Sequence, residues 1–225
     1  MQIRWLGHAA FALEHDGKTV LVDPFLTGNP KAAATADEVA ADAIFLTHGH
    51  SDHLGDTVAI AKRTGAAVVA IVELAGELTE AGVENVYDPN IGGTVDLGWV
   101  SVRLTPAWHT STTPGGTVNT PAGLVIEMGD KRLYFAGDTG LFSDLALPSK
   151  RGHIDLAVLP IGGHYTMDRF DAVAAADLIK ADQIIPCHYG TFPPIETDAE
   201  AFKTDVQNAG YAQVIVLEPG GTHEL

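Results

Sequence analysis

Apolar residues along this chain follow two rhythms. Short runs dense in Val, Ile, Leu and Phe, bounded by Gly, Asp or Pro, alternate with stretches where apolar residues return at helical spacing. QIRWL (2–6), AFALEH (10–15) and TVLVDP (19–24) read as strands separated by Gly and Asp-Gly turns. DAIFLTH (42–48) and AAVVAIV (66–72) are continuously apolar, as expected for strands covered on both faces, with helical patterns at about 56–64 and 73–82. TVDLGWVSVRLTPA (94–107) predicts a hairpin around Gly98. Further on, AGLVIEM (122–128), KRLYFAGD (131–138), DLAVLPI (155–161), QIIPCHYG (183–190) and AQVIVLEPG (212–220) predict strands, with helices over 168–180 and 197–209.

Strands with interspersed helices predict a layered α/β fold. No long linker divides the chain, so a single domain over 1–225 is expected. It would consist of two pseudo-halves of similar style, about 1–98 and 99–225, with loop-rich stretches at 29–42 and 111–123. A 46% hydrophobic, 19% charged composition marks a globular protein. The 13 Lys and Arg against 29 Asp and Glu leave a net charge of −16, which opposes nucleic-acid binding. Cys187 is the only cysteine, which excludes an intramolecular disulfide and a cysteine zinc cluster. The opening MQIRWLGHAAF reads as a strand rather than a signal peptide, and no apolar run is long enough for a membrane span. A reducing cytoplasm is therefore the expected compartment.

The candidate chemistry begins at residues 46–56, LTHGHSDHLGD, where three histidines and two aspartates follow an apolar run. In an extended segment, His48 and His50 share one face. Gly49 and Ser51 are small enough to let the loop fold around an ion. Asp52 and His53 then begin what reads as a helix. Imidazole and carboxylate together suit zinc, iron or manganese. Four closely spaced ligands projecting in two directions exceed what one open catalytic zinc uses, which favours two metals. Further candidates stand at the ends of apolar runs: His109 after VRLTPAW, Asp138 in FAGDTG and His188 in PCHYGTF. Strand ends are where an α/β fold gathers functional groups at one sheet edge.

His-x-His-x-Asp-His, then a lone His, an Asp in GDT and a final His resembles the pattern of the metallo-β-lactamase superfamily. WLGHAAFAL, LVDPFLTGNP, LPIGGHYTM and PCHYGTF resemble more specifically its UlaG-like, UPF0173-type metal-dependent hydrolases. The resemblance runs nearly end to end and implies a four-layer αββα sandwich. It also implies that His48, His50 and His109 bind one metal, that Asp52, His53 and His188 bind a second, and that Asp138 bridges them. Two divalent ions are implied, zinc foremost, with manganese or iron as alternatives. Five neutral imidazoles and two carboxylates would bring −2 against +4. The remaining charge favours a bridging hydroxide, whose parent water titrates near ~7 on a metal, as the nucleophile. A homo-oligomer is also consistent with the resemblance.

Around this set, His8 in GHAAF is expected in the pocket or behind a ligand, and Asp23 in LVDP is expected to orient a ligand histidine. His164 is a candidate catalytic group. With Tyr165, and with Tyr189 and Thr191, it is placed to polarise the substrate oxygen or protonate a leaving group. Many relatives carry an acidic residue and Asn where this chain has Gly163 and His164. Trp108 and loop 111–121 are candidates for a lid or apolar wall, and Cys187 reads as core. The function expected is hydrolysis of a small-molecule lactone, ester or phosphoester. The alternatives are a phosphodiesterase or nuclease of the same superfamily, and a metal-binding protein without turnover.

Overall fold

Three strands joined by tight turns begin the fold: β1 (Gln2–Gly7), β2 (Ala10–His15) and β3 (Lys18–Val22), an antiparallel meander. Asp16 and Gly17 supply the two positive φ angles, 49° and 73°, that a two-residue hairpin needs. The chain then changes to parallel pairing. β4 (Ala43–Phe45), β5 (Ala67–Val69) and β6 (Val86–Tyr87) add in turn beside β3. The crossovers carry α1 (Ser51–Leu54), α2 (Thr57–Thr64) and α3 (Val72–Glu80). Every residue of β4 and β5 is buried, which accounts for their unbroken apolar sequence.

The second sheet repeats the plan. β7 (Thr94–Asp96), β8 (Val100–Pro106), β9 (Ala122–Met128) and β10 (Lys131–Phe135) run antiparallel. β11 (Leu156–Pro160), β12 (Gln183–Cys187) and β13 (Gln213–Val214) extend it in parallel. Between them lie α4 (Leu147–Lys150), α5 (Arg169–Ile179) and α6 (Ala199–Ala209). Asp168 and Asp198 cap the longer two, accepting from Phe170 and Asp171 N–H and from Ala201 N–H respectively. The computed structural model describes residues 1–225 as a four-layer αββα sandwich.

The larger core cluster fills the space between the sheets, where Phe11, Phe45 and Phe135 are buried with Leu133 and Val158, and continues under α2 and α3. A second cluster, including Tyr134, Phe202 and Ile184, joins the second sheet to α5 and α6. No helix is long and apolar enough to cross a membrane.

The sheets do not divide the sequence at residue 98. The break falls between Tyr87 and Thr94, and a last strand, β14 (Thr222–Glu224), returns to pair with β1. AQVIVLEPG accordingly pairs as a strand only at Gln213–Val214. Ile215 N–H still reaches Ile184 O (2.9 Å), but Gly220 N–H already donates to Trp5 O (2.7 Å) in the other sheet. The chain must turn between two sheets there, and Gly220 takes a φ of 89° to do it.

Candidate metal centre

Leu46 and Thr47 carry the chain out of β4, so that His48 and His50 stand beyond the strand and α1 presents Asp52 and His53 one turn later. Gly49 between them is pinned. Its N–H donates to Ser111 Oγ (3.0 Å) and Asn119 Oδ1 (3.1 Å), and a Cβ there would lie 2.6 Å from Asn119 Nδ2. Loop 111–121 is thus a buttress behind the histidine loop, tied to α3 where Thr113 Oγ1 donates to Glu77 (2.6 Å). Trp108 is 72% exposed and turned toward Phe142, and neither it nor loop 111–121 lines the cavity over the cluster, where a lid or wall was expected.

The other groups arrive from strand ends: His109 after β8, Asp138 after β10 and His188 after β12. His8, Asp23, His164 and His188 all hold positive φ, between 44° and 58°, as the chain turns sharply off its strands. Such backbone is uncommon outside glycine and concentrates at functional sites. The side chains of His48, His50 and His109 converge, with His48 Nε2 3.1 Å from His50 Nδ1. A second group comprises His8, Asp52, His53 and His188. Asp138 faces both. Its Oδ2 lies 3.5 Å from His109 Nε2, 4.0 Å from His48 Nε2 and 3.2 Å from His188 Nε2, and its Oδ1 lies 3.3 Å from His53 Nε2.

Behind these groups runs a buried hydrogen-bond chain that fixes proton positions. Thr47 Oγ1 donates its single proton to Asp23 Oδ2 (2.6 Å), so it accepts from His48 Nδ1 (2.9 Å). That assignment leaves the His48 Nε2 lone pair facing the cluster. Asp23 also accepts from Thr47 N–H (2.8 Å) and from His53 Nδ1 (2.7 Å), turning His53 Nε2 the same way. His8 donates from Nε2 to Asp52 Oδ2 (3.0 Å) and accepts at Nδ1 from Thr191 Oγ1 (2.9 Å). Burial lowers the His8 pKa to about 4, so it is a neutral donor holding Asp52.

Charge within the cluster is uneven. Burial opposes ionisation of Asp138, yet His188 and His53 outweigh it and hold the carboxyl well below its usual range. Burial likewise opposes charge on His188, but the Asp138 carboxylate prevails and pushes its pKa up to about 9. His48, fully buried and beside His53, is held well below its ordinary value. The Nε2 atoms of His53 and His188 are buried without a hydrogen-bond partner. Buried ring nitrogens without hydrogen-bond partners around a shared carboxylate suit a bound cation, which would take the place of their protons, better than a packed core, so the donor set fits a metal.

A cavity of about 420 Å³ opens over the cluster, lined by His50, Asp52, His109 and Asp138 and walled by Phe25, Tyr165 and Phe192. Tyr165 therefore reaches the cavity. His164 does not line it; it is exposed, with its ring edge-on to Tyr165. Tyr189 is also turned away, stacked on Trp5 at 5.5 Å, while Thr191 acts through His8. Cys187 is buried between the sheets. Phe25, Phe192 and Thr47 escape a reading of polar motifs, because two are apolar and the third merely ends an apolar run. Their one signal is position, each within four residues of a candidate group.

His188 also depends on a glycine. A Cβ on Gly162 would overlap the His188 carbonyl oxygen and lie 2.8 Å from Ile195 Cβ. Gly162→Ala is expected to destabilise the fold by about 1–3 kcal/mol through overpacking, read by urea denaturation.

Two sheets with a histidine–aspartate cluster at their common edge define the metallo-β-lactamase type of fold. Residues 2–188 match the family model of the Beta-lactamase superfamily domain. The chain is 49% identical to a UPF0173 metal-dependent hydrolase of Methanopyrus kandleri, covering 100% of both, and 46% identical to one of Carboxydothermus hydrogenoformans, covering 98% of each. Among solved structures it is similar to Igni18, a metallo hydrolase of the hyperthermophilic archaeon Ignicoccus hospitalis. There the TM-score is 0.90 at 38% identity, over 100% of this chain and 98% of that one. The chain belongs to the UPF0173 metal-dependent hydrolases of the beta-lactamase superfamily.

Proposed function

We propose that this cluster holds two divalent metal ions and hydrolyses an uncharged lactone or carboxylic ester in preference to a phosphoester. The observation that carries the dinuclear reading is Asp138, whose carboxylate lies within 4.0 Å of ring nitrogens from both groups. His48, His50 and His109 would hold one ion and Asp52, His53 and His188 the other, with Asp138 shared. Bound there, zinc, or manganese or iron, would acidify water at neutral pH and polarise the oxygen of the scissile bond.

The protein's own groups do the rest. Asp23 and Thr47 fix the His53 and His48 tautomers, and His8 fixes Asp52. Phe25 and Phe192 exclude water from one side of the cavity, and the Tyr165 phenol stands at its rim within reach of a leaving group. No Lys or Arg lines that cavity, so no side-chain cation adds to the metals in compensating a phosphate charge in a chain of −16.

The test is elemental analysis of tag-free protein followed by a panel of lactones, carboxylic esters, thioesters and phosphodiesters with the metal so identified. About two metals per chain with turnover of the uncharged esters supports the proposal. Protein that stays metal-free after reconstitution, or turns over phosphodiesters best, overturns it. Asp23→Asn is expected to weaken metal affinity about 10–100-fold while the fold persists, because the amide no longer fixes His53 as a charged acceptor. Competition with a chromogenic chelator measures this.

A further inference from the structure

Between α4 and the β8–β9 side of the second sheet lies a cavity of about 410 Å³ that shares no lining residue with the metal site. Its volume falls among those of small-molecule sites, about 300–1,000 Å³. The chain carries 13 Lys and Arg against 29 acids, yet Arg103, Arg132, Lys150 and Arg151 line this one cavity and no acidic residue does. Arg132 builds the site. Its Nε donates to Glu127 (3.0 Å) while Nη1 donates to the carbonyls of Pro148 (3.0 Å) and Gly152 (2.8 Å), tying the turn after α4 to the sheet. Arg103 donates to Thr94 Oγ1 (3.3 Å), but neither it nor the exposed Lys150 and Arg151 pairs with a carboxylate.

The interior between these cations is apolar, formed by Val125, Leu147, Pro148 and Pro106, with Leu147 39% exposed. Uncompensated like charges around an apolar hollow are unfavourable on their own, and they complement a molecule with an anionic head and an apolar body. The metal-site cavity has a different lining, with two carboxylates and histidines and neither Lys nor Arg.

We infer that this cavity binds a small amphipathic anion, with Arg103, Lys150 and Arg151 receiving the head and Val125 and Leu147 the apolar body. A carboxylate and a phosphate monoester share that chemistry, and octanoate and octyl phosphate distinguish them. Arg103 and Pro106 lie on β8, the strand that leads to His109, while the two cavities share no lining residue.

The experiment is calorimetric titration of the metal-loaded protein with octanoate, octyl phosphate, acetate and inorganic phosphate. It is repeated on Arg103→Gln, on the exposed-site variant Lys150→Glu and on Asp138→Ala. Saturable binding of octanoate or octyl phosphate is expected, with acetate and phosphate much weaker. Affinity should fall about tenfold or more in Arg103→Gln and Lys150→Glu, as for loss of one charge-assisted contact, and persist in Asp138→Ala. The inference is overturned by absent saturable binding, by equal binding of acetate or phosphate, or by binding lost only in Asp138→Ala. That last result would place the anion on the metals.

Discussion

Asp138→Ala is expected to reduce bound metal from about two ions per chain to one or fewer and to abolish detectable ester hydrolysis. The loss should exceed the about 10–100-fold typical of groups behind metal ligands, because this side chain faces both halves of the cluster itself. The structural reason is distance: one carboxylate approaches His48 and His109 on one side and His53 and His188 on the other. Unfolding would not explain such a loss. In the alanine variant His53 and His188 can shed their protons, and neutral imidazole tolerates burial far better than imidazolium. Circular dichroism should therefore show a folded chain. Asp138→Asn separates charge from shape, since it keeps the volume and removes the negative charge. It is expected to lose metal nearly as completely. An asparagine variant with wild-type metal content and activity would show that the carboxylate only fills space.

The parts of this site that a linear sequence reveals are those where chemistry is local. His48, His50, Asp52 and His53 announce themselves because one loop and one helical turn carry all four. His109, Asp138 and His188 are readable as polar residues closing apolar runs, since β8, β10 and β12 run in the same direction and so end at the same edge. What the sequence conceals is orientation. Tyr189 and Thr191 are two residues apart, yet one stacks on Trp5 and the other bonds His8, because the chain turns at Gly190 with a φ of 64°. His164 and Tyr165 are adjacent, and only the tyrosine reaches the cavity. Trp108 immediately precedes His109 and still points outward. The same limit governs the fold. The strand–helix order is legible from periodicity, whereas the return of β14 to β1 pairs residues more than 200 positions apart and leaves no local pattern.

Chelation should lower thermal stability substantially, and the structure indicates why. Without a cation, the interior retains Asp138 among four histidines, with His53 Nε2 and His188 Nε2 lacking partners. An ion that binds only the folded chain stabilises it by about 2.7 kcal/mol at a hundredfold excess over its Kd. For a chain of this size each 1 kcal/mol moves Tm by about 2–4 °C. Exhaustive removal with a chelator is therefore expected to lower Tm by roughly 5–11 °C for one such site and by more for two. Differential scanning calorimetry measures it, and re-addition of zinc should restore the transition. Asp138→Ala supplies the decisive comparison, because a chain that has already lost its metal should respond weakly to the same chelator. If the wild-type transition does not move, the cluster is not held together by metal, and the buried bonds through Asp23, Thr47 and His8 would have to stabilise it unaided. If both proteins shift equally, the chelator acts elsewhere on the surface. Only a large shift in the wild type and a small one in the variant follows from a cation bound by the six histidine and aspartate ligands around Asp138.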